Sequence, residues 1–254
     1  MDKMRKPFQG IWNIIRFNWQ FYVLSFAAVT ILLLFRNNLT AALRVAAIVL
    51  AILIVASTLI SLAVSHYIYD ISNLYKLTWL DKFHFNDSNK VVNINAGFDE
   101  TSSLLKSKFA NSELLVFDFY DPIKHTEVSI RRARKAYPPF PNTLQVTTSQ
   151  LPLQDNSTDK IFTILSAHEI RNEEERNSFF KELRRVLKTT GQIIVIEHLR
   201  DTTNFLVYNI GFFHFHSKTT WLKTFQASGL QVANEIKITP FISTFILIKN
   251  GTTS

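Results

Sequence analysis

Residues 91–102 read VVNINAGFDETS. An apolar run, a glycine and then polar residues that open a helix make a strand–turn–helix corner of the kind that cradles a nucleotide. Such a loop ordinarily carries two or three glycines, and this one has Gly97 alone. Whether the corner holds a ligand or only turns the chain depends on its surroundings.

Downstream, strand-like and helix-like runs alternate. The strands are VVNIN, ELLVFDF, TLQVTT, KIFTILSA and GQIIVIEHL; the helices are ETSSLLKSKFA, HTEVSIRRARKA, NEEERNSFFKELRRVLK and SKTTWLKTFQASG. Alternation of this kind implies a parallel sheet covered on both faces. The clearest helix runs from Glu173 to Lys188, with acids in its first turn, bases in its last and Gly191 as its stop. Only Thr239 and Pro240 separate the final runs LQVANEIKI and FISTFILIKN, so these two pair antiparallel. The expected fold of residues 91–254 is α/β: a doubly wound, mostly parallel sheet with a C-terminal antiparallel strand pair.

Upstream the composition changes. Hydrophobic residues make up 47% of the 254, and the excess is concentrated near the N-terminus. Nineteen uncharged residues lie between Arg16 and Arg36, and twenty-one more run from Val45 to Ser65. Each run reaches the roughly 20 apolar residues that a helix needs to cross a bilayer. The expectation is a membrane anchor over residues 1–70 with spans at about 17–35 and 45–65, then an amphipathic connecting helix over 71–90. Trp12, Trp19 and Tyr22 flank the first run, and Tyr67, Tyr69, Tyr75 and Trp79 follow the second, as in interfacial aromatic belts. Lysines and arginines gather at the outer ends of the hairpin, while the short connection holds only Arg36 and Arg44. The chain therefore reads as an integral protein of the inner or cell membrane, with both termini and the α/β domain in the cytoplasm. The net charge of +8 suits an anionic membrane surface. No basic helix interleaved with aromatics points to nucleic acid, and the lack of cysteine excludes disulfides and thiolate metal sites.

In an open α/β sheet, ligands bind beyond the carboxyl ends of the strands. His168 and Glu169 close the fourth strand; Glu197 and His198 close the fifth. His168, Glu197 and His198 are the candidate catalytic residues, either histidine being able to take a proton from a hydroxyl or amine. The same groups also read as hydrogen-bonded structural residues. His214 and His216 lie nearby in GFFHFHS, but no ligand spacing such as HExxH accompanies them, so no metal is assigned. The apolar segment 204–215 reads as a lid over the crevice, a membrane-surface segment, or simple packing against the sheet.

Two stretches, QLPLQDNSTDKIFTILSAHEI and FFKELRRVLKTTGQIIVIEH, resemble the type 11 pattern of class I S-adenosylmethionine-dependent methyltransferases. There a Leu-Pro and an acidic turn precede the fourth strand, and a helix ending in Arg-Val-Leu-Lys leads through a glycine to the fifth. The resemblance covers roughly Val91 to Lys249. It implies a Rossmann-like methyltransferase with S-adenosylmethionine as cofactor and a small-molecule or lipid-like acceptor, the lipophilic kind suggested by the anchor. It also implies a cofactor cradle of Asn95, Gly97, Asp118, Phe119, Thr147 and Thr148. Against the family's acid-x-Gly-x-Gly-x-Gly, Asn93 replaces the acid, Asn95 the first glycine and Asp99 the third. Asp99 either faces the cofactor's carboxylate or caps the following helix. Asp118, 21 residues beyond Gly97, either accepts ribose hydroxyls or caps the turn at Asp121 and Pro122. Phe119 is placed to pack on the adenine, and Thr147 with Thr148 stands where the family often has an acid. The other reading is a tethered module that kept the fold and lost the cofactor.

Overall fold

The computed structural model describes residues 5–83 and 89–251. Seven strands form one sheet in the order β3-β2-β1-β4-β5-β7-β6. They are β1 (Lys90–Asn95), β2 (Glu113–Asp118), β3 (Leu144–Gln145), β4 (Thr158–Ile164), β5 (Leu187–His198), β6 (Leu230–Thr239) and β7 (Ile242–Lys249). The first five run parallel, and β7 enters antiparallel between β5 and β6. This is the doubly wound sheet that the alternation predicts. Only the third strand is much shorter than its apolar run, its ladder limited to two residues at the sheet's edge.

Strands buried on both faces read as continuous apolar runs, because each alternate side chain meets a different layer. Val92 and Ile94 of β1 and Ile193 and Val195 of β5 face α6 (Glu173–Val186) and α8 (Lys218–Ala227), which contribute Phe179, Phe180, Leu183, Trp221 and Phe225. Val91, Phe162, Ile194 and Ile196 face the other way, against Leu105 of α4 (Ser102–Lys108) and against Leu74, Leu77, Trp79 and Leu80. The α6 start follows its sequence signals: Asn172 Oδ1 accepts from Glu175 N at 2.8 Å, and three glutamates fill the first turn.

Two expectations are corrected. Gly191 does not stop α6, which ends at Val186; Leu187 is already extended and paired with Thr158. Gly191 lies inside β5, where a Cβ would come within 2.7 Å of Leu187 Cδ1 and 3.0 Å of Asp159 O. The connecting segment is not a continuous amphipathic helix. A π-turn (Tyr67–Ile71) and a 3-10 stretch (Thr78–Phe83) flank Leu77, whose φ is +54°; the rest of the expected helix, residues 84–88, lies outside the described residues. Apolar side chains at 74, 77 and 80 suit a tight turn of three residues as well as an α-helix, and packing on the sheet selects the tight form.

Ahead of the sheet lie α1 (Gln9–Phe17), α2 (Trp19–Phe35) and α3 (Ala41–His66). The helical stretches Trp19–Asn38 and Ala41–Ile71 are long and apolar enough to cross a membrane, by length and composition. Among the described residues α2 buries none of its own, and α3 buries only Ala47, Ala51 and Ser65.

Core truncation and surface truncation should separate clearly. Phe180, fully buried between α6 and α8, should cost about 3–5 kcal/mol as Phe180→Ala. Ile123, which is 85% exposed, should stay within about 0.5 kcal/mol as Ile123→Ala. Denaturant midpoints of the purified protein check both.

Candidate active site

The corner after β1 is held by its own side chains. Asn95 Oδ1 accepts from Gly97 N at 2.9 Å, and Gly97 has φ +91°, a left-handed backbone that glycine adopts without strain. Asp99 Oδ1 accepts from Thr101 N and Ser102 N, each at 2.9 Å, so of its two readings the cap is the one found. Asn93 donates to Thr101 Oγ1 at 3.0 Å and to Ser102 Oγ at 2.8 Å, a buried strut between β1 and α4. Asp118, 5% exposed at the end of β2, accepts from Tyr120 N through Oδ1 at 2.8 Å and is ion-paired with Arg134 through Oδ2. Arg134 comes from α5 (Val128–Ala136) and lies across the corner: a Cβ on Gly97 would fall 2.5 Å from its Nη1.

Three expected cradle residues point elsewhere. Phe119 is buried against Phe179 and His125 and belongs to the core, because the strand's alternation turns it inward. Thr148 donates to Glu175 Oε1 at 2.6 Å and is buried. Thr147 is exposed and sits in an isolated bridge with Gln150, since the ladder has already ended. Asn95 and Gly97 meet at the corner and Asp118 adjoins through Arg134. Of these, Asn95 lines a large cavity.

That cavity has a volume of about 1060 Å³. Its polar end is walled by Asn95, Glu100, Tyr75, His168, His198 and Tyr69; its other end reaches Phe21, Leu24 and Ile54 of α2 and α3. Asn95 Nδ2 is buried there with no hydrogen-bond partner among the described residues.

The histidines at the strand ends differ sharply. Both ring nitrogens of His168 are engaged: Nδ1 lies 2.5 Å from Glu197 Oε2, and Nε2 lies 3.3 Å from Glu169 Oε1. Burial opposes its charge, but the Glu197 carboxylate and the hydrogen bonds to Glu169 and Glu197 outweigh that and raise it to about 10. His198 goes the other way. Burial pushes it down to about 4, the charge on His168 adds to this, and hydrogen bonds to Asn204 and Phe241 only partly offset it. Its Nδ1 lies 3.0 Å from the Phe241 carbonyl, which can only accept, so Nδ1 carries the proton. Nε2 then accepts from Tyr69 Oη at 2.8 Å. Glu197 is fully buried and does not line this cavity; it positions His168.

Segment 204–215 forms the end of α7 (Thr202–Tyr208) and a 3-10 turn, Asn209–His214. Tyr208, Ile210, Phe213 and His214 of this segment line the cavity, so it covers the crevice. Sequence reading missed the groups that close the other side. Glu100 Oε1 accepts from Arg5 at 2.7 Å, Asn13 at 3.2 Å and Gln9 at 3.3 Å, and Oε2 accepts from Tyr75 at 2.9 Å. Asp70 caps α1 by accepting from Gly10 N at 2.7 Å and Ile11 N at 2.9 Å. Of the two acids only Asp70 stood out in the sequence, in the apolar and aromatic run YIYDI at 67–71.

The methyltransferase-domain family matches residues 100–195. Among solved structures, an S-adenosylmethionine-dependent methyltransferase from Clostridium acetobutylicum superposes with TM-score 0.52 at 12% identity, covering 71% of this chain and 92% of that one. The PH0226 protein from Pyrococcus horikoshii OT3 superposes with TM-score 0.51 at 18% identity, covering 68% and 88%. No curated protein matches in sequence. Residues 100–195 thus match a methyltransferase domain within a Rossmann-like methyltransferase fold, and the cofactor that this match and fold support is S-adenosylmethionine.

The residues fit such a group. Gly97 adds no side chain of its own, Asn95 lines the cavity and carries a buried donor without a partner among the described residues, and Asp118 stands at the end of the neighbouring strand. Arg134 covers the corner, with Tyr120 Cβ also 3.0 Å from the position of a Cβ on Gly97; the arginine side chain is 34% exposed. Arg134→Ala should therefore tighten S-adenosylmethionine binding several-fold, since it uncovers Gly97 and frees Asp118. Gly97→Val should abolish binding and also cost stability through its positive φ. Calorimetric titration with the cofactor reads both, and unchanged affinity in both variants would mean that the corner is not the cradle.

Proposed function

We propose that the protein is a membrane-anchored methyltransferase that passes a methyl group from S-adenosylmethionine to a lipophilic small molecule or lipid-like acceptor. The observation that carries this reading is the continuity of the cavity, from Asn95 and His198 at the strand ends to Phe21, Leu24 and Ile54 on the apolar helices. A molecule with a polar head and an apolar tail matches both ends. Anchoring by α2 and α3 follows from their surfaces: Leu24, Phe26, Leu34, Val45 and Leu59 are all more than half exposed, an apolar face too extensive to leave in water. Phe205, Leu206, Ile210 and Phe213, also exposed, extend that face onto the segment covering the crevice.

The cofactor supplies an electrophilic methyl on a sulfonium. Gly97, Asn95 and Asp118 would hold it, and the protein's main task is then to align the acceptor. His198 is the general base. Its Nδ1–H is fixed on the Phe241 carbonyl, so the Nε2 lone pair faces Tyr69 and the cavity. The proton that the acceptor heteroatom loses on gaining the methyl passes to Nε2, directly or through the Tyr69 hydroxyl. His168 has no free lone pair for this role, both nitrogens being engaged by carboxylates.

The covering of Gly97 by Arg134 favours a second reading, a tethered module that no longer binds the cofactor. Wild-type protein that shows no heat or thermal shift at millimolar S-adenosylmethionine would establish it.

For the enzyme, His198→Gln should lower kcat by about 10²–10⁴-fold, the usual contribution of a general base, and leave cofactor affinity unchanged. The groups around His198 are Tyr69, Tyr208, Phe215, Asn204 and the Phe241 carbonyl, with His168 and His214 beyond them. With His198 held near about 4, the methyl-transfer rate should stay flat from about pH 8 to about pH 5, whereas an ordinary imidazole would give a limb near about 6.5. Reporter fusions at both termini and near Asn38 should place the termini in the cytoplasm and Asn38 outside. A C-terminus outside would overturn the reading, because S-adenosylmethionine is made and used in the cytosol.

A further inference from the structure

In the same cavity as the base, three side chains converge without any role in the reading above. His168 Nε2 lies 3.3 Å and His214 Nε2 lies 3.2 Å from the same oxygen, Glu169 Oε1. All three ligand atoms fall within 4.8 Å of one another, and among the described residues no other group of three His, Asp or Glu side chains does this. Donor atoms about 2.0–2.2 Å from a common ion would lie at similar separations after small side-chain movements.

A second observation is independent of that convergence. A histidine that binds a metal through one nitrogen characteristically donates the other N–H to a carboxylate, which fixes its tautomer and ring orientation. Glu197, fully buried, does this for His168: its Oε2 lies 2.5 Å from Nδ1 and its Oε1 accepts from the His168 backbone N at 3.2 Å. Near His214, Glu127 Oε2 lies 3.6 Å from Nδ1, just beyond hydrogen-bond distance. The exposed Arg171 guanidinium approaches that nitrogen. Arginine only donates, so this contact places the His214 proton on Nε2. Arg171 must therefore withdraw, letting Nδ1–H turn to Glu127, before His214 can ligate, and His168 must release the Nε2 proton that faces Glu169.

We propose that His168, Glu169 and His214 form a binding site for a divalent transition-metal ion, with Glu197 and Glu127 orienting the two imidazoles. Two imidazoles and one carboxylate suit Zn²⁺, Fe²⁺ or Co²⁺ rather than Mg²⁺, which prefers an all-oxygen shell. All three ligands line the cavity, so the ion's remaining positions open into it. There an oxygen of the acceptor would complete the shell; only this last statement rests on the methyl-transfer reading.

Titration of the full-length protein in detergent with Co²⁺, without cofactor or acceptor, tests the site through the visible d–d absorption of the bound ion. The expected result is one Co²⁺ per chain, displaced by Zn²⁺ and not by Mg²⁺. Glu197→Gln should weaken binding by about 10–100-fold, the usual cost of losing an orienting carboxylate. His214→Ala should weaken it at least as much; its ring is 24% exposed on a surface turn, so folding should survive, and an unchanged thermal midpoint would verify that. Absence of the band in wild-type protein, or equal Co²⁺ affinity in His214→Ala, overturns the proposal and leaves methyl transfer unaffected.

Discussion

One carboxylate joins the two halves of this protein. Glu100, on the loop between β1 and α4, accepts from Arg5, Gln9, Asn13 and Tyr75, and so ties α1 and the connecting segment to the corner after β1. A mostly buried charge with four donors is stable only while all of them stay in place, and losing partners leaves an uncompensated charge. Asp70 adds the reciprocal constraint by capping α1 from the end of the apolar hairpin. The aromatic contacts of Phe17 with Phe98 and Tyr137 pack the same junction. Because of these contacts the apolar helices do not hang loosely ahead of a finished domain. They supply one wall of its cavity.

This arrangement explains the chemistry available at the strand ends. The sheet brings His168 and His198 to neighbouring strands, yet their surroundings divide their properties. Two glutamates hold one imidazole charged, while burial and the charge on its neighbour hold the other neutral. Pairs of titratable groups whose environments push them apart are characteristic of sites that move protons.

Much of the fold was legible because its causes are local and periodic. The apolar strands, the acid-to-base gradient of α6 and the two-residue link between β6 and β7 each point to one element. Where the sequence misled, a non-local contact decided. Leu187 is drawn into pairing with Thr158, so the helix ends before Gly191; packing on the sheet turns residues 74–80 into tight turns. The site was legible only in part. Strand ends placed Asn95, Gly97, Asp118, His168, Glu197 and His198 in one region, as the topology of an open sheet requires. The inward turn of Phe119, the engagement of Thr148 by Glu175 and the lock of Arg134 on Asp118 all depend on partners far along the chain. No pattern around Glu100 announced its four donors, three of which come from residues 5–13.

The central claim is that the corner after β1 receives the cofactor once Arg134 moves aside. A structure determined with S-adenosylhomocysteine, the demethylated cofactor, tests it most directly. The account predicts ligand density against the Gly97 backbone and Asp118, with the Arg134 side chain swung away from both. Density elsewhere in the cavity, or Arg134 still paired with Asp118 at saturating ligand, would contradict it.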